Sequence, residues 1–269
     1  MNEMDSDILR QIVRGNYAKV ARGSCGCETG PSSCCGSQQN GTDAVNLLMG
    51  YSTEELDGVI KGANLGLGCG NPTAIGDLKP GETVLDLGSG GGFDCFLAGK
   101  KVGEKGRVIG VDMTPEMLAR ARENVKKMKS TNVEFRLGEI EHLPVADNSV
   151  DVIISNCVIN LSPEKDQVFR DAFRVLKPGG RLAVSDMVAT AEMPRKVREQ
   201  AALLTKCIAG AENVERVREL LSEAGFEEIK INLKRYSREL VSGWHLEGGA
   251  ENYVASADIE AIKPLRSKE

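Results

Sequence analysis

Two sets of residues in this 269-residue chain have types and spacing that could do chemistry: acids flanking a glycine-rich turn, and eight cysteines. The turn lies in Thr83–Phe93, TVLDLGSGGGF. A short apolar run (Val84, Leu85) meets Asp86, and a glycine-rich turn with Gly88, Gly90 and Gly92 at alternate positions follows. Glycines let the backbone turn sharply and let a ligand lie against it with no Cβ in the way. The dinucleotide pattern G-x-G-x-x-G is not met, because Phe93 stands at its last position, and no lysine follows as in a P-loop. Asp86 suits a ligand with a positive charge. A second apolar run, Arg107–Val111, ends in Asp112. An acid about 20 residues past the glycines, at a strand's carboxyl end, can hold both hydroxyls of a ribose. Asp86 and Asp112 therefore frame a nucleoside without a pyrophosphate.

The cysteines fall into different contexts. Cys25, Cys27, Cys34 and Cys35 lie in Gly23–Gly41, a stretch rich in Gly, Ser and Cys that reads as a loop. Their spacing is not the C-x₂₋₄-C of a tetrahedral zinc site. The vicinal pair Cys34–Cys35 could bind a soft ion or exchange disulfides. Cys69 sits between Gly68 and Gly70, outside any periodic apolar run, and is expected to be an exposed thiol. Cys95 falls in the helix after the glycine turn and reads as packing. Cys157 directly follows a strand, and Cys207 falls near the end of a helix, before Gly210. The two histidines, His142 and His245, poorly supply a mixed Cys/His metal site.

The elements that must position these residues follow from periodicity. Apolar residues at helical spacing predict a helix over Asp5–Arg22, and Ser52-Thr53-Glu54-Glu55 is a capping box that starts another near Thr53. Further helices are expected over Phe93–Lys101, Pro115–Lys129, Glu164–Leu176, Ala191–Ala209 and Asn213–Ala224. Strands are expected after Thr83, and over Arg107–Val111, Asn132–Leu137, Val150–Ser155, Arg181–Ser185, Glu227–Tyr236 and Tyr253–Ile262, the last at the sheet's edge. Lys177-Pro178-Gly179-Gly180 reads as a turn. Strands alternating with helices imply a parallel sheet with right-handed crossovers and a ligand at the strands' carboxyl ends.

The chain's length allows one large domain with additions, or two small ones. Its net charge of −5 and pI near 5.4 argue against nucleic-acid binding. It has neither a cleavable signal nor an apolar run of membrane-spanning length, and is expected to be cytoplasmic and bound to no membrane. A reducing compartment makes ligand or redox duty for the thiols more plausible than structural disulfides.

The Asp86–glycine–Asp112 set resembles the S-adenosylmethionine pocket of class I methyltransferases, which carry D/E-x-G-x-G-x-G on their first strand. The resemblance implies an α/β, Rossmann-like fold: a mostly parallel sheet flanked by helices, with an N-terminal helical cap and a C-terminal α+β extension. It implies an N-terminal segment over 1–75, a cofactor core over 76–190 and a C-terminal part over 191–269 that completes the sheet. It also implies cofactor contacts from Asp86, Gly88, Ser89, Gly90, Asp112, Met113, Ile140 and Glu141. Asn156 would touch the cofactor's amino-acid part, and Cys157 would lie near the sulfonium methyl.

GLGCGNP, LDLGSGGGFDCF, GEIEHLP, SNCVINL and TKCIAGA together resemble the arsenite methyltransferases, from about Gly66 to Ala211. The resemblance implies Cys69, Cys157 and Cys207 as thiolate ligands of trivalent arsenic, with no resident metal. It implies Cys34 and Cys35 as candidates for arsenic relay or redox, arsenite or its glutathione conjugate as substrate, thioredoxin or glutathione as reductant, and a monomer. The family's tyrosine two positions before the first of these cysteines is Leu67 here. Two other classes share parts of the pattern: a methyltransferase acting on carbon or oxygen of a small molecule such as a quinone precursor, and a non-enzymatic thiol-rich metal or metalloid binder.

Overall fold

The computed structural model describes residues 6–23, 39–60, 62–195, 207–242 and 249–265. Four helices precede the sheet: α1 (Ser6–Ala21), α2 (Gln39–Leu48), α3 (Thr53–Asp57) and α4 (Pro72–Ile75). The chain then alternates through β1 (Thr83–Leu87), α5 (Phe93–Val102), β2 (Arg107–Asp112), α6 (Pro115–Met128), β3 (Val133–Leu137), β4 (Val150–Asn156), α7 (Lys165–Val175) and β5 (Leu176–Ala189). It closes with α8 (Val214–Glu223), β6 (Glu227–Leu233), α9 (Ser237–Ser242) and β7 (Val254–Ile262).

The seven strands lie in the order β3-β2-β1-β4-β5-β7-β6. β1 to β5 run parallel, and β7 runs antiparallel to both β5 and β6. β1, β2 and β4 are buried almost throughout, as parallel strands covered on both faces must be. Alternate residues of each strand feed two cores. Val84, Val108, Val152 and Ile154 face one; Leu85, Ile109, Ile153 and Leu182 face the other. The helices are amphipathic: α7 buries Val168, Phe169, Ala172 and Val175, a single stripe at 3.6-residue spacing. The chain leaves β1 toward β2 on one side and returns to β4 on the other, so the topology reverses at β1. That reversal opens a crevice at the strands' carboxyl ends.

Four expectations are corrected. β7 is not an edge strand: it lies between β5 and β6, and nine of its residues pair with β5. The edge is β6, which is largely exposed and carries Glu227, Glu228 and Lys230, charges that discourage edge-to-edge pairing. Lys177–Gly180 is not a free turn but part of β5, because Gly179 donates to the Lys263 carbonyl and Lys263 to the Gly180 carbonyl, each at 2.8 Å. Gly179 meets this pairing at φ +79°, a conformation open to glycine. Gln39–Gly41, expected in the loop, opens α2. The strand from Glu227 stops at Leu233, and Tyr236 precedes α9. Of the helix expected over Ala191–Ala209, residues 196–206 lie outside the described residues, and Cys207–Gly210 form turns. Cys25, Cys27, Cys34 and Cys35 also lie outside them.

Lys263 closes the end of β7. Its ammonium is buried and donates to Asn148 Oδ1 at 2.8 Å, the Phe173 carbonyl at 2.6 Å and the Leu176 carbonyl at 2.7 Å, 4.5 Å from the centre of the Phe173 ring. Lys263→Met strips these acceptors of their donor while keeping the aliphatic stem. It is expected to lower unfolding stability by about 3 kcal/mol, measured by urea denaturation; a loss below about 0.5 kcal/mol would show that the lock does not matter.

Candidate active site

The glycine turn is built as a cradle. Gly88, Gly90 and Gly92 adopt φ of +68°, +50° and +92°. A Cβ on Gly88 would come within 2.4 Å of the Val158 side chain, and one on Gly92 within 2.6 Å of the Phe135 ring. The turn is tied to β2: Gly88 and Ser89 both donate to the Val111 carbonyl, and Gly90 donates to Asp112 Oδ2 at 2.9 Å. Asp112 Oδ1 accepts from the Thr114 amide at 2.8 Å, which orients the carboxylate at the strand end.

A cavity of about 140 Å³, open to solvent, lies over this turn. Asp86, Gly88, Ser89, Gly90, Asp112, Met113, Ile140, Glu141 and Asn156 all line it. So do α1 through Arg10, Val13 and Tyr17, and α2 through Asn46 and Met49. α1 is fastened by charge. Arg10 pairs with Glu141 and Glu164, Arg14 with Glu139, and Arg22 with Glu116.

Four carboxylates line the cavity; Glu141 pairs with Arg10, whereas among the described residues Asp86, Asp94 and Asp112 have no basic side chain within 4.0 Å. Burial, together with the charge of Asp94, holds the Asp86 carboxyl well above the usual carboxylate range. Burial pushes Asp94 up to about 6, against hydrogen bonds from Tyr51 and Asn156. Burial also raises Asp112, against the amides of Thr114 and Gly90. Such a site favours a cation, which relieves the repulsion between the carboxylates. Two buried polar atoms of residues lining the cavity, Ser89 Oγ and Asn46 Nδ2, have no hydrogen-bond partner among the described residues. Acids without cations, orphaned polar atoms and a glycine cradle fit S-adenosylmethionine, with its sulfonium, ammonium and ribose.

Asn156 joins this cavity to the thiols. Its Nδ2 donates to Tyr51 Oη (3.0 Å), the Gly70 carbonyl (2.8 Å) and Asp94 Oδ2 (3.2 Å), and its Oδ1 accepts the Cys69 amide (2.9 Å). Tyr51 Oη in turn donates to Asp94 Oδ1 at 2.7 Å. Tyr51 and Asp94 carried no sequence signal beyond their nearness to the capping box and the glycine turn.

The structure brings the three expected cysteines together but not in the expected state. Cys69 is not exposed: it is fully buried and disulfide-bonded to Cys157, with Cα atoms 5.9 Å apart. The flanking glycines account for this. A Cβ on Gly68 would meet Asn156 at 2.6 Å and one on Gly70 would meet Ser185 at 2.6 Å, so the loop packs down onto the sheet. Cys157 lines the cavity, whereas Cys69 and Cys207 lie behind it. Cys207 donates its Sγ hydrogen to the Cys157 carbonyl. Burial, with the charge of Asp186, pushes the Cys207 thiol well up. Cys157 and Cys207 both adopt positive φ, +56° and +61°, as Asp77, Lys129, Asn148 and Glu228 also do. Asp186, absent from the sequence reading, places a carboxylate oxygen within 4.8 Å of both Cys69 Sγ and Cys157 Sγ. Cys95 is buried and donates to Asp86 Oδ2 at 3.1 Å.

The raised Asp94 has a defined sign. The folded state holds this proton more tightly than the unfolded chain, so ligand-free stability falls as pH rises from about 4 through 6. A cation needs the ionised form, so affinity for S-adenosylmethionine is expected to fall as pH drops through 6. Asp94→Asn is expected to flatten the thermal-stability profile in that window and to weaken cofactor binding about tenfold at pH 7.5. A variant that binds like the wild type at every pH would remove Asp94 from the site.

Comparison with known proteins agrees with this geometry. A family model described as a methyltransferase domain matches residues 78–225. The arsenite methyltransferase of Halobacterium salinarum is 51% identical across 98% of this chain, which spans 69% of that protein's length. The arsenite methyltransferase of Aquipseudomonas alcaligenes is 40% identical over 76% of the chain, which spans 58% of its length. The crystal structure of an arsenic(III) S-adenosylmethionine methyltransferase from Chlamydomonas reinhardtii superposes with a TM-score of 0.59 and 33% identity, covering 85% of this chain and 75% of that one. A thiol cluster behind a nucleoside cavity, on this sheet and with these relatives, places the chain in the arsenite methyltransferase family of S-adenosylmethionine-dependent methyltransferases.

Proposed function

We infer that this protein transfers the methyl group of S-adenosylmethionine to trivalent arsenic held by Cys69, Cys157 and Cys207. One observation carries the reading: three cysteines distant in sequence converge at the edge of the cofactor cavity, with Cys157 on its wall. Trivalent arsenic is soft and prefers thiolates. Arsenite exchanges three hydroxyls for three sulfurs; each thiol proton leaves with a hydroxyl as water, so the exchange balances without another acid or base. The lone pair left on arsenic is the nucleophile. When bound, S-adenosylmethionine supplies an electrophilic methyl on a sulfonium.

The protein's part is positioning. Asp86 and Asp94 draw the cationic end toward β1, Asp112 receives the ribose, and Ile140 and Glu141 lie against the base. Asn156 keeps the Cys69 loop in register with that end through the Cys69 amide. Holding two reactants in line can contribute roughly 7–11 kcal/mol. Attack through the lone pair would release S-adenosylhomocysteine as a neutral thioether and leave pentavalent methylarsenic on three sulfurs; coupling of the Cys69 and Cys157 sulfurs as a disulfide would return two electrons to arsenic, and water would fill its open position with loss of one proton. The Cys69–Cys157 disulfide is the product such a step leaves, which supports the reading. A thiol reductant, thioredoxin or glutathione, then reopens the site by exchange.

The test is transfer of labelled methyl from S-adenosylmethionine to arsenite, with glutathione and thioredoxin present, for wild type and the Cys69→Ser, Cys157→Ser and Cys207→Ser variants. Wild type is expected to form methylated arsenic, and each variant to lose roughly a hundredfold or more with cofactor binding kept. Omitting the reductants should stop wild type after the first turnovers. No labelled arsenic from wild type with cofactor bound would move the assignment to a carbon or oxygen acceptor.

A further inference from the structure

The amino-acid end of the cofactor carries a carboxylate as well as a cation, and the cavity has no obvious place for it. Asp86, Asp94 and Asp112 repel it. Arg10, a cation on the cavity wall, is taken by Glu141 and Glu164. Four amides of the glycine turn are already used. The amides of Gly88 and Ser89 are spent on the Val111 carbonyl, that of Gly90 on Asp112, and that of Gly92 on the Ser89 carbonyl. The Asn156 amide is spent on Tyr51, Gly70 and Asp94.

Two buried polar atoms on the wall remain. Ser89 Oγ lies against β2, where a Cβ on Gly110 would come within 2.7 Å of it; this is the Asp112 side, toward the ribose. The other is Asn46 Nδ2. Asn46 is 4% exposed, lines the cavity and has no partner for its amide nitrogen among the described residues. Leaving such a donor buried and unpaired costs free energy that a ligand acceptor would recover. Its backbone carbonyl accepts the Tyr51 amide at 3.1 Å, and Tyr51 reaches Asp94 and Asn156 through its hydroxyl. Asn46 is therefore anchored to the segment that forms the cationic end of the site.

We propose that Asn46, on α2, receives the α-carboxylate of the cofactor, while Asp86 and Asp94 face its ammonium and sulfonium. A neutral amide suits this task. It satisfies the carboxylate without adding a positive charge that would oppose the sulfonium. The assignment makes α2 part of the cofactor site rather than a cover over it.

The inference rests on S-adenosylmethionine as cofactor, and its test is binding rather than turnover. Dissociation constants are measured for three ligands: S-adenosylhomocysteine, its decarboxylated analogue, and 5′-methylthioadenosine, which lacks the whole amino-acid end. Asn46→Ala is expected to weaken S-adenosylhomocysteine about tenfold or more, the size of one hydrogen bond to a charged group, and to leave the other two within about twofold. Asn46→Asp, nearly isosteric, is expected to reverse the preference, binding the decarboxylated analogue more tightly than S-adenosylhomocysteine. Parallel weakening of all three ligands, or unchanged S-adenosylhomocysteine binding in both variants, would overturn the assignment. Failure of wild type to bind S-adenosylhomocysteine would instead overturn the cofactor reading. Binding without arsenic methylation would overturn the substrate and leave Asn46 standing.

Discussion

The side chain of Asn156 is the constraint on which the rest of the site depends. It stands at the end of β4, beside the topology reversal, and spends both ends of its amide at once. One end holds the Cys69 amide, and the other holds Tyr51, Asp94 and the Gly70 carbonyl. A site that brings two reactants together needs its two halves to be in register, and here a single planar group sets that register. Asparagine serves because it accepts and donates from fixed positions. Aspartate there would lose the donor and add a further carboxylate to the cavity.

Electrostatics sets the character of the cavity. Asp86, Asp94 and Asp112 are buried with no basic partner close by, an arrangement that is costly until a cation arrives. The cost is borne because each acid is held by fixed donors: Cys95 for Asp86, Tyr51 and Asn156 for Asp94, Gly90 and Thr114 for Asp112. Charge of one sign near the reacting centre therefore comes from rigid elements, and little reorganisation is needed when the ligand binds. The thiol cluster is the opposite case. Burial raises the Cys207 thiol, which keeps it protonated and nucleophilically quiet until a soft ligand displaces the proton. The α1 helix adds a third style of interaction, arginines pairing with acids from three other segments beside the buried Val13 and Ala18.

The sheet was legible in the chain because each βα unit announces itself locally. The runs at β1, β2, β3 and β4 are short, apolar and bounded by turn residues, and the helices between them carry a clean stripe. The antiparallel end was less legible. Val254–Ile262 reads as a strand, but nothing local says which neighbour it takes. Its place between β5 and β6 follows from long-range pairing, which also draws Lys177–Gly180 out of a turn and into β5. The glycines around Cys69 have the same ambiguity. Locally they suggest an exposed loop, whereas their missing side chains are what lets the loop sink onto Asn156 and Ser185.

The sequence by itself determined the α/β alternation, the glycine turn with Asp86 and Asp112, and the short motifs that carry Cys69, Cys157 and Cys207, because each of these is written in neighbouring residues. The tertiary structure alone decided that Cys69 and Cys157 are bonded and buried with Cys207 beside them, and that Tyr51, Asp94 and Asn46 belong to the cavity. Those facts depend on contacts between residues many positions apart, and on which polar atoms are left without a partner once the chain has packed. Periodicity and motif report the path of the backbone; only the folded molecule shows which donors and acceptors have been used.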